Sequence, residues 1–245
     1  MTDQISTEGW DGVYAIRLSK ANEQLQRSYI AGNLPKQMYV QVEGLWFCEI
    51  NANFDVWQFV PGGGPQLLWL RMPFVEGRIM IGTKSLNLAN CGMVVQIRLR
   101  YLKLSQMEKQ LVLDFQSEDV QGNVVQLIRM DDPHNQLNLL DNEQYFHSAI
   151  NKYLKENKES ISHVLATLQT PSMNEFDWQR PTWEKYAYLN RPTEKDCVIG
   201  ILMMFQGHEA PRGDPQLAQG VIADNYSAGY LIKLKEFIAN TLLIR

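Results

Sequence analysis

The chain has 245 residues, and 23 Lys+Arg against 27 Asp+Glu give a net charge of −4. With 45 % hydrophobic residues, 20 % charged residues and a mean hydropathy of −0.28, it is not a disordered chain. A pI near 5.6 speaks against a general nucleic-acid binder, and three widely spaced Cys make neither a disulfide framework nor a zinc site.

The opening MTDQISTEG is polar and holds no apolar leader segment. The apolar run Cys197–Phe205 is far shorter than the roughly 20 residues a membrane span needs. The expectation is a single domain over residues 1–245, cytoplasmic by default, with release by a route that needs no leader left open.

In chain order, Val13–Leu18 alternates as a short strand. Ser19 is placed to cap a helix on which Ala21, Leu25 and Tyr29 recur, and Gly32, Asn33 and Pro35 stop it. Residues 37–50, 52–60 and 66–76 are rich in β-branched and aromatic residues, with a turn over Pro61–Pro65. Leu68, Leu70, Met72 and Phe74 share one strand face. Residues 94–103 form the clearest strand: Val95, Ile97, Leu99 and Tyr101 point one way, Gln96, Arg98 and Arg100 the other. Two more strands are predicted over 110–116 and 124–130.

At residue 139 the period changes. Phe146, Ile150, Tyr153, Leu154, Ile161, Val164, Leu165 and Leu168 fall on one helical stripe, which predicts a helix over 141–168 of roughly 40 Å. Strands follow at 182–189 and 196–206. An amphipathic helix is predicted over 227–243, with Tyr230, Leu231, Leu234, Phe237, Ile238 and Leu242 on its apolar face. The strand, Ser19 and helix near the start are echoed by GVIADNY, Ser227 and a helix near the end.

Catalytic signals are weak. His134, His147, His163 and His208 form no HExxH, and there is no GxSxG elbow. The acidic and amide stretch Asp131–Glu143 could hold calcium but lacks the DxDxDG order. Gly82–Ser85 resembles a phosphate loop only superficially. Cys48 and Cys197 sit in apolar strands, which leaves Cys91, beside Gly92, as the one candidate reactive thiol. No enzyme, cofactor or metal is expected. What remains is apolar surface, and an acyl chain gains about 0.8 kcal/mol per buried CH₂ without any polar constellation. The inside of a lipid groove and the inside of a core look identical in sequence.

Four motifs carry a family resemblance. They are Gly9-Trp10-Asp11-x-Val13-Tyr14-Ala15-Ile16 with its following helix, Trp178-x-x-Pro181-Thr182 with Tyr186-Ala187-Tyr188, the apolar strand Val198–Met203, and the terminal unit around Ser227. Together they resemble the clostridial OrfX and forty-seven-kilodalton proteins encoded beside botulinum neurotoxins. The resemblance implies an α+β fold of the tubular lipid-binding (TULIP) superfamily: a long helix wrapped by a curved antiparallel sheet, with a C-terminal amphipathic helix. It supplies no catalytic residue. Larger members continue beyond the terminal helix, so the chain is expected to be a short member or a piece of a longer one.

The expected function is binding of lipid or another apolar ligand, without catalysis. The alternative is an interaction subunit of a toxin-associated assembly, with a closed core. Partners would be an apolar ligand, a membrane surface or proteins of the same gene cluster, and not nucleic acid. The groove would run between Leu68, Leu70, Met72 and Phe74, or Val95, Ile97, Leu99 and Tyr101, and a helix stripe bearing Ile150 and Leu154 or Leu231 and Leu234. Arg98, Arg100 and Lys103 would meet anionic head groups.

Overall fold

The computed structural model describes residues 6–43, 47–105, 108–114, 126–137, 139–161, 164–169 and 177–238. The strands are β1 (Gly12–Arg17), β2 (Gln37–Val42), β3 (Cys48–Phe54), β4 (Gln58–Gly64), β5 (Leu67–Ile81), β6 (Lys84–Asn87), β7 (Gly92–Lys103), β8 (Glu108–Asp114), β9 (Gln126–Asp131), β10 (Val164–Gln169), β11 (Pro181–Leu189), β12 (Val198–Phe205) and β13 (Ala228–Ile232). The helices are α1 (Leu18–Ile30), α2 (Leu139–Glu156), α3 (Lys158–Ile161) and α4 (Leu234–Phe237).

The class is α+β, and among the described residues every strand pair is antiparallel. The larger sheet runs β10-β8-β7-β5-β3-β2, with β4 and β6 on β5 and β9 on β7; the smaller runs β11-β12-β1-β13. The larger sheet curls because its long strands change partners. β5 pairs with β4 and β7 over Leu67–Pro73, then with β3 and β6 from Phe74 onward. A register shift between Asn53 and Phe54 marks the change.

One hydrophobic core runs continuously from the larger sheet through α1 and α2 to the inner face of the smaller sheet. A second, smaller core lies on the outer face of the smaller sheet. There Trp10, Val13, Ala15, Val198, Leu202 and Met204 are covered by Leu217, Val221 and Ile222 of the loop after β12. This explains the unbroken apolar run of β12, in which all eight residues are buried. Ile199, Ile201, Met203 and Phe205 face the main core and Val198, Leu202 and Met204 the second. A strand buried on both faces loses its polar alternation.

Four expectations are corrected. The helix predicted over 141–168 ends at Glu156; a single turn, α3, follows, and Val164–Gln169 is the strand β10 on β8. At Asn157, between α2 and α3, the side-chain amide shares the Tyr153 carbonyl with the residue's own backbone amide, and its carbonyl accepts from both Ser160 and the Ile161 amide. The helix predicted over 227–243 begins as a strand, because Ala228–Ile232 pairs along β1. Of the described residues there, Leu234–Phe237 is α-helical, and 239–245 lies outside them. Ser19 does not cap α1, which starts at Leu18 with Arg17 in the cap position. The expected echo fails with it, since Ser227 precedes a strand and its carbonyl accepts from the Arg17 amide.

Candidate functional site

The predicted groove residues divide. Leu68, Leu70, Met72 and Phe74 of β5 and Val95, Ile97 and Leu99 of β7 are buried, with Leu68 opposite Ile97 and Leu70 opposite Val95. Ile150 and Leu154 of α2 are buried in the same core, and Tyr101 packs half-buried at its margin. Leu231 and Leu234 do not join them. Leu231 packs on the second core, across the smaller sheet, and Leu234 is 69 % exposed. The strands and α2 therefore form the interior, as the pleat of β5 and β7 demands, whereas β13 turns the C-terminal apolar residues elsewhere.

Where β7 leaves this core, a cleft of about 440 Å³ opens between the two sheets. Leu67, Leu99 and Pro65 supply its apolar wall, and Arg98, Gln66, Tyr186 and Asp214 its polar rim. Tyr186 fixes the geometry. Its hydroxyl donates to the Gln66 carbonyl at 2.6 Å and accepts from the Leu99 amide at 3.0 Å, tying β11 to the β4–β5 turn and to β7. Burial pushes its phenol up to about 12, with the Leu99 amide and Arg98 pulling the other way. Tyr186 belongs to the Tyr-Ala-Tyr motif, but no spacing in the sequence announces its reach to residues 66 and 99.

The three basic residues are not equivalent. Arg98 stands exposed on the rim of the cleft. Arg100 sits 3.6 Å from the buried carboxylate of Asp114 on the neighbouring strand. Lys103 is exposed at the far end of β7.

The other candidates resolve into structural roles. Asp131 pairs with Arg71 at 2.7 Å and Arg129 at 3.0 Å. Asp132 accepts from the backbone amides of Gln136 and Leu137, so this turn spends its carboxylates on the protein and not on calcium. Cys91 is fully buried with Gln136 donating to its sulfur, and burial pushes its thiol up. It is a core residue and not a reactive thiol. His134 is exposed, His147 lies 3.6 Å from Glu143 along α2, and His163 lies outside the described residues.

His208 has a different setting. Its Nδ1 is 2.8 Å from Oδ2 of Asp11, which also accepts from the Phe205 amide at 3.0 Å. Trp10 beside it stacks on Trp183, with ring centroids 5.5 Å apart. Thr182 donates to the Met204 carbonyl and accepts from the Gly207 amide, and Trp178 meets Phe205 edge-on. The four sequence motifs thus converge on one element, the smaller sheet and its corner.

These features define a class: an α+β protein with a curled antiparallel sheet, a second sheet docked on its core, and a cleft at the seam. Residues 7–244 match the OrfX-like family, described as Protein OrfX2/OrfX3/P47, and the chain belongs to that family. Protein P47 of Clostridium botulinum (strain Kyoto / Type A2) is 25 % identical over 241 residues, covering 98 % of this chain and 56 % of that protein. Protein OrfX3 of the same strain is 24 % identical, covering 98 % and 54 %. The solved structure of P47 from Clostridium botulinum A2 superposes with a TM-score of 0.78 at 24 % identity, covering 96 % of this chain and 54 % of that one. P47 of Clostridium botulinum E1 gives 0.76 at 20 % identity. The chain spans about half the length of the curated relatives it matches.

Proposed function

We propose that the protein is a non-catalytic binder of an amphiphilic lipid, of the tubular lipid-binding type that the family resemblance implies, and that the seam cleft receives the ligand. The observation that carries this reading is the cleft's lining: Arg98 stands on a rim whose inner wall is Leu67 and Leu99. A cation beside apolar surface suits an anionic head group with its first methylenes, each worth about 0.8 kcal/mol when buried. The volume of about 440 Å³ favours a head group and a short length of chain over whole acyl chains, because the residues deeper along β5, β7 and α2 are packed together.

The test is flotation with phosphatidylcholine vesicles, with and without phosphatidylserine or a phosphoinositide, together with mass spectrometry of lipid extracted after native purification. Binding confined to the anionic vesicles and lost in Arg98→Glu is the expected result. Equal, negligible binding to both kinds of vesicle removes the reading.

A second reading, an interaction subunit of a toxin-associated assembly, is favoured by another observation. Tyr14 and Tyr230 lie directly opposite on β1 and β13 and are 39 % and 46 % exposed, with Leu234 and Phe237 exposed just beyond. Apolar side chains gathered at a sheet edge suit a protein partner. A stable complex with co-expressed cluster proteins, formed without co-purifying lipid, would favour it.

A further inference from the structure

We propose that Asp11, His208 and Glu236 form a binding site for a divalent transition-metal ion of the zinc type, clasping the segment after β13 to the corner between β1 and β12. The three residues come from distant parts of the chain: the entry to β1, the turn after β12, and α4. One potential ligand atom from each lies within 4.8 Å of the others. Zinc at about 2.0–2.2 Å from nitrogen and oxygen donors sets tetrahedral ligands roughly 3.5 Å apart, so the set closes by side-chain movement of about an ångström.

A second observation points to a cation. Asp11 is 1 % exposed, and its Oδ1 has no hydrogen-bond partner among the described residues, while Oδ2 is held by the Phe205 amide and His208. A buried carboxylate oxygen without a donor is costly and is normally matched. The Lys233 ammonium lies 3.7 Å from Oδ1 on a side chain 42 % exposed. It stands beyond hydrogen-bond range and can swing into solvent.

The donor set selects the ion. One imidazole with two carboxylates suits zinc or a related first-row metal better than calcium, which takes six to eight oxygens. The site is also approachable, because His208 lines an open depression of about 670 Å³ with Thr182, Trp183 and Lys185.

The test is titration of metal-stripped protein with Zn²⁺ against a fluorescent zinc indicator, with thermal melts of every variant. One equivalent should bind and raise the melting temperature. His208→Gln and Glu236→Gln should each weaken binding at least tenfold while retaining a cooperative melt. Lys233→Met should tighten binding several-fold, because it removes the competing ammonium, a result that a purely structural ion pair would not give. Asp11→Asn carries the added loss of the charge that holds the Phe205 amide, so its melt is read before its affinity. Failure of both the parent protein and Lys233→Met to bind one equivalent overturns the proposal. So does binding undiminished in both His208→Gln and Glu236→Gln, which would place the ion elsewhere.

Discussion

Asp114 is 4 % exposed, and the Arg100 guanidinium lies 3.6 Å from it. Arg98, one pleat earlier on β7, faces solvent at the cleft. The same substitution at the two positions should therefore do different things. Arg98 is exposed but stands directly opposite Asp114 in the β7–β8 register, so Arg98→Glu should cost only roughly 0.2–1 kcal/mol in urea unfolding, as for a like-charge cross-strand pair with one solvated member. Arg100→Glu sets a second carboxylate beside a buried one and should cost on the order of 1–3 kcal/mol, less than a fully buried pair because the arginine is partly solvated. Equal stability of the two variants would show that the β7–β8 ion pair does not matter. The thiols are a second case at this scale. All three cysteines are free and buried, and burial pushes Cys48 up to about 11. The native protein should resist a disulfide thiol reagent at pH 8 and release three equivalents once unfolded; fast labelling of one thiol in the native state would contradict this burial.

Among the elements, the loop after β12 depends on one side chain. Arg17 donates from Nε to the Tyr226 carbonyl at 2.7 Å and from Nη1 to the Lys195 carbonyl at 2.8 Å, and its Nη2 reaches Ala223. That loop carries Leu217, Val221 and Ile222 onto β12, and Gly200 provides the room: a Cβ there would meet the Leu217 side chain at 2.5 Å. Arg17→Met keeps the length of the side chain and removes its donors. It should cost roughly 2–3 kcal/mol, about 1 kcal/mol for each hydrogen bond lost, and expose the loop to limited proteolysis between 206 and 227. An unchanged digestion pattern would mean that the loop is held by its apolar contacts alone. The same elements show what the sequence could disclose. The central strands β5, β7 and β12 were legible because burial on one or both faces leaves an alternating or continuous apolar pattern. The strands β10 and β13 were not: Val164 and Leu165, like Tyr230 and Leu231, fit a helical stripe as well as a strand, and pairing with β8 and β1 decides between them. The seam cleft was half legible. Leu99 and Arg98 stand out in a clear alternation, but Tyr186 and Gln66 reach it only through the folded chain, and nothing in the spacing of residues 11, 208 and 236 links them.

Across the whole molecule, buried tyrosines join parts that are far apart in sequence. Tyr186 ties the smaller sheet to the β4–β5 turn and β7, and Tyr153 of α2 donates to the Gln37 carbonyl at 3.2 Å on β2. Burial pushes both phenols from 10.0 up to about 12. The sign of the pH effect follows. Between those values the unfolded chain has lost the proton while the folded chain still holds it, so unfolding releases protons and stability falls as pH rises. The contribution is fully present below pH 10 and is lost as pH climbs through about 12. A tenfold difference in proton affinity between the folded and unfolded chain is worth about 1.4 kcal/mol, so each tyrosine should take roughly 2–3 kcal/mol of stability with it. Urea unfolding at pH 9, 10, 11 and 12 measures the loss, and absorbance near 295 nm reports the phenolates. Tyr186→Phe separates the two tyrosines. It lowers stability at every pH by the loss of the Gln66 and Leu99 contacts, and its decline from pH 10 to 12 should be shallower than the parent's by the share Tyr186 carried. An identical slope in the variant would show that the tie between the two sheets does not depend on this phenol staying protonated, and that alkaline unfolding starts at another buried group.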